Sequence, residues 1–137
     1  MGAWGTAAFE NDDASDWVYE LEKHGLAAVE AALADALRAT DLELPIAANG
    51  IAAGEVVAAA IGRPAPDLPD DVLELASGLA TGPAASVTTD HVRRARTVAE
   101  RVLEASEVAE LWGEADEADA AAWRAGVEDL IVRLTAP

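Results

Sequence analysis

The chain contains no cysteine. That absence excludes disulfides, thiolate metal sites and cysteine nucleophiles together, and it is compatible with a reducing cytoplasm. Histidine is nearly as scarce, with 2 copies, and Lys23 is the single lysine. Candidates for a general base or a nucleophile are therefore few. No apolar run approaches the roughly 20 residues that span a bilayer, and the opening residues lack the basic flank and apolar stretch of a signal peptide. There is no phosphate-binding loop, no dinucleotide fingerprint, no His-Glu-x-x-His, no calcium-binding loop and no nucleophile elbow. The expectation is a cytoplasmic protein with no cofactor and no membrane contact.

What the chain has in excess is acid. Against 9 basic residues stand 26 acidic ones, for a formal net charge of −17 over 137 residues. Such a surface repels nucleic-acid phosphates and anionic lipid, and it attracts a basic protein partner; plain solubility is the bland alternative. Hydrophobic residues make up 52% and mean hydropathy is +0.12. A single domain of this size buries roughly 65–70% of its unfolded surface, enough for a core without staples. The preference for Arg over Lys and the abundance of Ala fit a GC-rich bacterial genome, with a salt-loving host as another source of the acidity.

Alternation of period two is nearly absent, whereas apolar spacing near 3.6 recurs. Asn11 or Asp12 is placed to cap a first helix, in which Ala14, Trp17, Val18 and Leu21 form one stripe and Gly25 is the terminator. A second helix covers about Leu26 to Ala39, and Thr40 to Pro45 reads as a turn. A third, apolar helix runs from about Ala47 to Ile61, weakened by Asn49-Gly50 and Gly54. Gly62-Arg63-Pro64-Ala65-Pro66 is the clearest break. Asp67 as cap and Pro69 open a short helix through Val72, Leu75 and Ala76. The stretch from Gly78 to Val87 reads as linker. Thr89 then caps a long helix that continues, or kinks, near Ser106 and ends at Gly113. The last helix spans about Asp116 to Leu134. The fold class expected is all-α: a compact single-domain bundle of about six helices over 1–137, each with one apolar stripe. Alanine at core positions brings helix axes toward the lower end of the ~8–10 Å range and leaves little enclosed ligand volume.

Four of the six aromatics, Trp4, Phe9, Trp17 and Tyr19, crowd into the opening stretch MGAWGTAAFENDDASDW and the two residues after it. Gly2 and Gly5 give the backbone freedom to turn Trp4 inward, and Phe9 before the Asn11 cap can act as a staple. Residues 1–10 are thus expected to form an N-terminal hook packed on the bundle. A rival reading makes the small-residue loop an anion site at a helix start, which Glu10, Asp12, Asp13 and Asp16 oppose. Met1 to Thr6 also satisfies a loose myristoylation template, into which a bulky Trp fits poorly.

Met1, Gly2, Ala3, Trp4, Gly5, Phe9, Asn11, Asp12, Ala14, Asp16 and Trp17 match a pattern MGAWGxxxFxNDxAxDW. In this the chain resembles an uncharacterised bacterial domain-of-unknown-function family with an N-terminal Met-Gly-Ala-Trp-Gly signature. The resemblance implies a short, helical, acidic domain and makes Gly2, Trp4, Gly5, Phe9, Asn11, Asp12 and Trp17 its structural signature. It implies no reaction, cofactor or partner. Members often carry Gly at about the position of Ala7.

Two constellations could carry chemistry. Asp16, Glu20 and His24 share one face of the first helix and could offer ligands to a divalent metal, or simply form a hydrated face. Asp90-His91 is followed by Arg93, Arg94, Arg96 and Arg101. His91, Arg93, Arg94 and Arg96 could contact an anion or a partner, or pair internally with Asp90, Glu100 and Glu104. The preferred expectation is a non-enzymatic, immunity-like or regulatory protein that acts by binding a basic partner. The alternative is a metal- or small-anion-dependent enzyme or ligand-binding protein using either constellation.

Overall fold

Between Glu43 and Arg63 the sequence carries one charge, Glu55, and a helix so nearly apolar on all sides has to be enclosed by others. The computed structural model describes residues 7–81 and 87–135. Among the described residues there are seven helices and no strand: α1 (Asp12–His24), α2 (Leu26–Arg38), α3 (Leu44–Ala60), α4 (Asp70–Thr81), α5 (Thr89–Glu104), α6 (Glu107–Gly113) and α7 (Glu117–Leu134). All six others pack against α3. Ala47, Ala48 and every residue from Gly50 to Ala59 are buried. The expectation of one apolar stripe per helix fails here, because α3 is the axis of the bundle rather than a member of its outer ring.

Local chemistry accounts for the ends of the elements. The Asn11 side chain accepts the Ala14 N–H at 2.8 Å, and Asp12 and Asp13 follow where the helix dipole favours acid. Phe9 is buried with the core, but the position it would staple across the cap holds the exposed Ser15. It is therefore a core residue and not a staple. Gly25 alone joins α1 to α2: its N–H donates to the Leu21 carbonyl at 2.8 Å while its own carbonyl accepts from Ala28. Its φ of 56° is one that only glycine adopts freely.

Other boundaries differ from the sequence reading for identifiable reasons. α3 begins at Leu44, because Pro45 fits the first turn, where a missing N–H costs nothing. Thr88, not Thr89, caps α5, since its hydroxyl accepts from His91 N–H while its backbone N–H donates to the His91 ring. At Ser106 the chain breaks: its hydroxyl bonds back to the Val102 carbonyl and accepts from Ala109 N–H, so one hydroxyl closes α5 and caps α6. α4 starts at Asp70 and runs to Thr81, into the stretch read as linker. Trp4, Gly2 and Gly5, and with them most of the expected hook, lie outside the described residues.

The glycines of α3 do the opposite of weakening it. A Cβ at Gly50 would lie 2.8 Å from Val98 Cγ1 and 3.3 Å from Ala36 Cβ; one at Gly54 would lie 3.3 Å from Leu130 Cδ2. Bare backbone at these two positions is what admits α2, α5 and α7 so closely. At the exposed Gly78 of α4 an added Cβ meets nothing within 4 Å.

Gly50→Ala is therefore expected to destabilise the chain by about 1–2 kcal/mol, overpacking outweighing the ~1 kcal/mol gain in helix propensity. Gly78→Ala, with propensity alone at stake, is expected to stabilise by about 0.5–1 kcal/mol. Urea denaturation midpoints at matched slope measure both; equal signs for the two would refute the packing role of Gly50.

Candidate functional site

A carboxylate in the middle of a buried helix needs a partner, and α7 supplies it. Arg133 grips Glu55 with two parallel hydrogen bonds, Nη1 to Oε1 at 2.8 Å and Nη2 to Oε2 at 3.1 Å. Its Nε donates to Asp129 Oδ2, one turn earlier, at 2.7 Å. Arg133 Nη1 also reaches the Arg63 carbonyl, and Arg63 Nη1 in return donates to the carbonyls of Arg133 and Thr135 at 3.0 and 3.1 Å. The break after α3 is thereby tied to the C-terminal end of α7, where a cation suits the dipole.

Glu55 is 6% exposed. Burial pushes its carboxyl above the ordinary carboxylate range; Arg133 pulls it back through hydrogen bonds and charge, and Asp67 and Asp129 push it up further. For Arg133 burial favours the neutral form, but Glu55 and Asp129 outweigh it and hold the guanidinium charged.

Two clefts open beside Glu55, and Glu55, Ala65, Asp67, Ala7 and Ala8 line both. The larger, about 460 Å³, lies between α1, α4 and the α3–α4 connection. Its carboxylates are Glu10, Glu22, Glu55, Asp67 and Asp71, and no Lys, Arg or His lines it among the described residues. Phe9, Val18, Leu68 and Val72 give it apolar walls. Tyr19, 65% exposed, stands at its rim. The smaller cleft, about 220 Å³, lies against α7 and is walled by Ile51, Trp123, Gly126 and Val127. A third hollow, about 330 Å³, runs along the alanines of α2 beside Trp17 and Ile46.

The residues singled out from sequence lie elsewhere. Glu20 and His24 approach each other at 3.5 Å on the exposed face of α1, and Asp16 is exposed one turn earlier. Among the described residues no group of three His, Asp or Glu is arranged to hold a metal ion. Arg93 and Arg94 both pair with Asp90, the latter at 2.9 Å, and Arg96 faces Glu100 at 3.6 Å. Arg101 donates to the carbonyls of Ala36, Leu37 and Ala39, closing the C-terminal end of α2. His91 is buried: Nδ1 accepts the Thr88 N–H at 2.9 Å, which leaves Nε2 to carry the proton toward Glu30 Oε2 at 2.9 Å. His91 and Arg101 tie α5 to α2, the other pairs lie within single helices, and the structure does not bring these groups into one site. Sequence reading missed Glu55 and Arg133; the available signal was a lone charge in a run of apolar residues.

A family model described as a domain of unknown function (DUF4259) matches residues 2–126. The matched range includes Glu55 and ends before Asp129 and Arg133. No curated protein and no solved structure matches the chain.

Removing one partner of a buried pair strands the other, so Arg133→Met is expected to cost about 3–5 kcal/mol at pH 7. With its folded-state pKa raised, Glu55 contributes stability that is fully present below the ordinary carboxylate range and is lost as pH rises through the folded value. Losing Arg133 raises that value further. The deficit relative to the parent chain should therefore shrink between pH 7 and pH 5. The double change Glu55→Leu with Arg133→Leu should cost less than Arg133→Met alone. Urea unfolding of the three chains at both pH values measures this; a deficit that grows on acidification contradicts it.

Proposed function

Because this chain belongs to the DUF4259 family, whose description names no activity, we propose its role from the chemistry of the site: it is a non-enzymatic binding protein that takes up a basic partner protein through the cleft between α1 and α4. The observation that carries this reading is the cleft's lining, five carboxylates and no base among the described residues, on a chain of net charge −17. An anionic ligand is repelled there, whereas a Lys or Arg side chain gains charge pairing at several points. The apolar walls suit the methylene stem of such a side chain, and the exposed Tyr19 ring suits its cationic head. A role of the regulatory or immunity type, in which an acidic protein neutralises a basic one, follows naturally. A cysteine-free chain with no helix long and apolar enough to cross a membrane, among the described residues, suits a cytoplasmic setting.

An acid–base role for Glu55 has less support. Both of its oxygens are held by Arg133, so a proton transfer there would first have to dismantle the pair that anchors α7.

An isotope-labelled chain titrated with an arginine-rich nonapeptide at low salt should show its largest shift changes at Tyr19, Glu22, Asp67 and Asp71. Glu22→Gln, Asp67→Asn and Asp71→Asn together should weaken binding by about tenfold or more, about 1.4 kcal/mol. Shift changes spread evenly over the acidic surface, or an unaffected triple variant, would refute the cleft as the binding site.

A further inference from the structure

A capping box needs an acceptor on its third helical residue, and Glu or Gln ordinarily supplies one that does not depend on proton binding near neutral pH. In α5 that residue is His91. Its ring Nδ1 accepts the Thr88 N–H at 2.9 Å. The Thr88 hydroxyl oxygen lies 2.9 Å from the same nitrogen and accepts the His91 N–H at 3.4 Å. A backbone N–H only donates, so this ring nitrogen carries no proton. The proton is on Nε2 and points to Glu30 Oε2 of α2 at 2.9 Å. The His91 side chain is 11% exposed and that of Glu30 is 54% exposed, so water reaches the carboxylate and hardly reaches the ring. Glu30 is the one carboxylate within 4 Å of the ring among the described residues. Charges on the other elements packed against α5 are committed elsewhere. Glu55 of α3 and Asp129 of α7 are held by Arg133, and Glu107 of α6 accepts the Leu44 N–H. Asp90, next to His91 in sequence, is turned to Arg93 and Arg94.

We propose that His91 is an acid-sensitive latch: a proton taken up by its ring unfastens the first turn of α5 from Thr88 and leaves the ring tied to Glu30. Imidazole is the side chain that changes charge in mildly acidic conditions. The incoming proton goes to Nδ1, the nitrogen that lacks one. There the new N–H confronts both Thr88 groups. The hydroxyl can rotate and accept it; the backbone N–H cannot, and loses its acceptor. One of the two reciprocal bonds of the capping box is thereby removed. On the other side of the ring, the charged Nε2–H makes a stronger hydrogen bond to the Glu30 carboxylate than the neutral ring does. The same proton therefore loosens the start of α5 and tightens its hold on α2. His91→Gln would keep an acceptor for the Thr88 N–H and lose this coupling. The inference is independent of the binding role proposed above, since none of Glu30, Thr88 and His91 lines the α1–α4 cleft.

The test is a pH titration of the full, isotope-labelled chain. Long-range nitrogen–proton spectra follow both histidine rings, assigned by the loss of one in His24→Gln, and hydrogen exchange follows the Thr88 amide. The expected result at neutral pH is a His91 ring with its proton on Nε2. On acidification, Thr88 protection, corrected for the intrinsic pH dependence of exchange, should fall about fivefold with the midpoint of His91 and not that of His24. His24→Gln should leave this response unchanged, and His91→Gln should hold Thr88 protection constant over the same range. A proton on Nδ1 at neutral pH overturns the proposal. So does a His91 ring that protonates with no change at Thr88, a ring that stays neutral until the chain unfolds, or a Thr88 response that survives in His91→Gln. The parent titration decides the first three outcomes by itself, so the proposal stays refutable even where His91→Gln does not fold.

Discussion

The constraint on which the rest of the structure depends is one carboxylate on the axis. Glu55 is the single charge on α3 and is almost wholly buried. An ion removed from water costs several kcal/mol unless another ion meets it with good geometry. Arg133 meets it with two parallel bonds. Sliding α7 by one helical turn would carry that guanidinium about 5.4 Å away and leave the carboxylate bare. Of the contacts between α3 and α7, this pair therefore fixes the register. Apolar side chains of similar size could exchange neighbours at small cost; a charge pair cannot. Arg63 extends the same device to the break after α3, since its side chain and its carbonyl both engage the end of α7.

Register alone would not give a tight bundle. The second requirement is that helices come close enough for thin side chains to fill the space between them, and Gly50 and Gly54 allow that. Alanine and glycine on α3 leave the axis filled by backbone and small side chains. The α1–α4 hollow arises where the α3–α4 connection holds outer elements apart beside α1. The proposed binding surface is peripheral for the same reason that the core is dense.

How much of this could be read from the residues depends on the range over which each feature is decided. The helices were legible because their apolar spacing is local: Ala14, Trp17 and Leu21 are buried as the stripe requires, and so are Trp123, Val127, Leu130 and Leu134. Gly25 was legible as a terminator because a positive φ has few other occupants. Choices between adjacent residues were not, as with Thr88 against Thr89, since either hydroxyl could cap and only the His91 ring decides. The glycines of α3 look like helix breakers until the neighbours that press on them are known. Glu55 was visible as an anomaly, but its partner stands 78 residues away, and several other arginines were equally eligible from sequence. The constellations that looked chemical, Asp16 with Glu20 and His24, and the arginines of α5, are spacings within one helix. Such spacing is produced as readily by a hydrated face as by a site.

The arginines also explain why the surface stays so acidic. Arg133 is spent on Glu55 and Asp129, Arg63 and Arg101 on carbonyls at helix ends, and Arg38, Arg93, Arg94 and Arg96 on carboxylates of their own helices. Each of these bases serves a local tie. None is among the described residues lining the α1–α4 cleft. The excess of acid is thus distributed by default over the outer faces, and it concentrates where the chain also leaves a hollow. Charge of one sign in a cleft with apolar walls acts at longer range than the same charge on an open helix, because fewer field lines escape through water. Even so, salt limits that range to roughly 8–10 Å near physiological ionic strength. On the proposed reading, a basic partner is therefore steered only in the last step before contact, where it meets Tyr19 and the walls of the cleft.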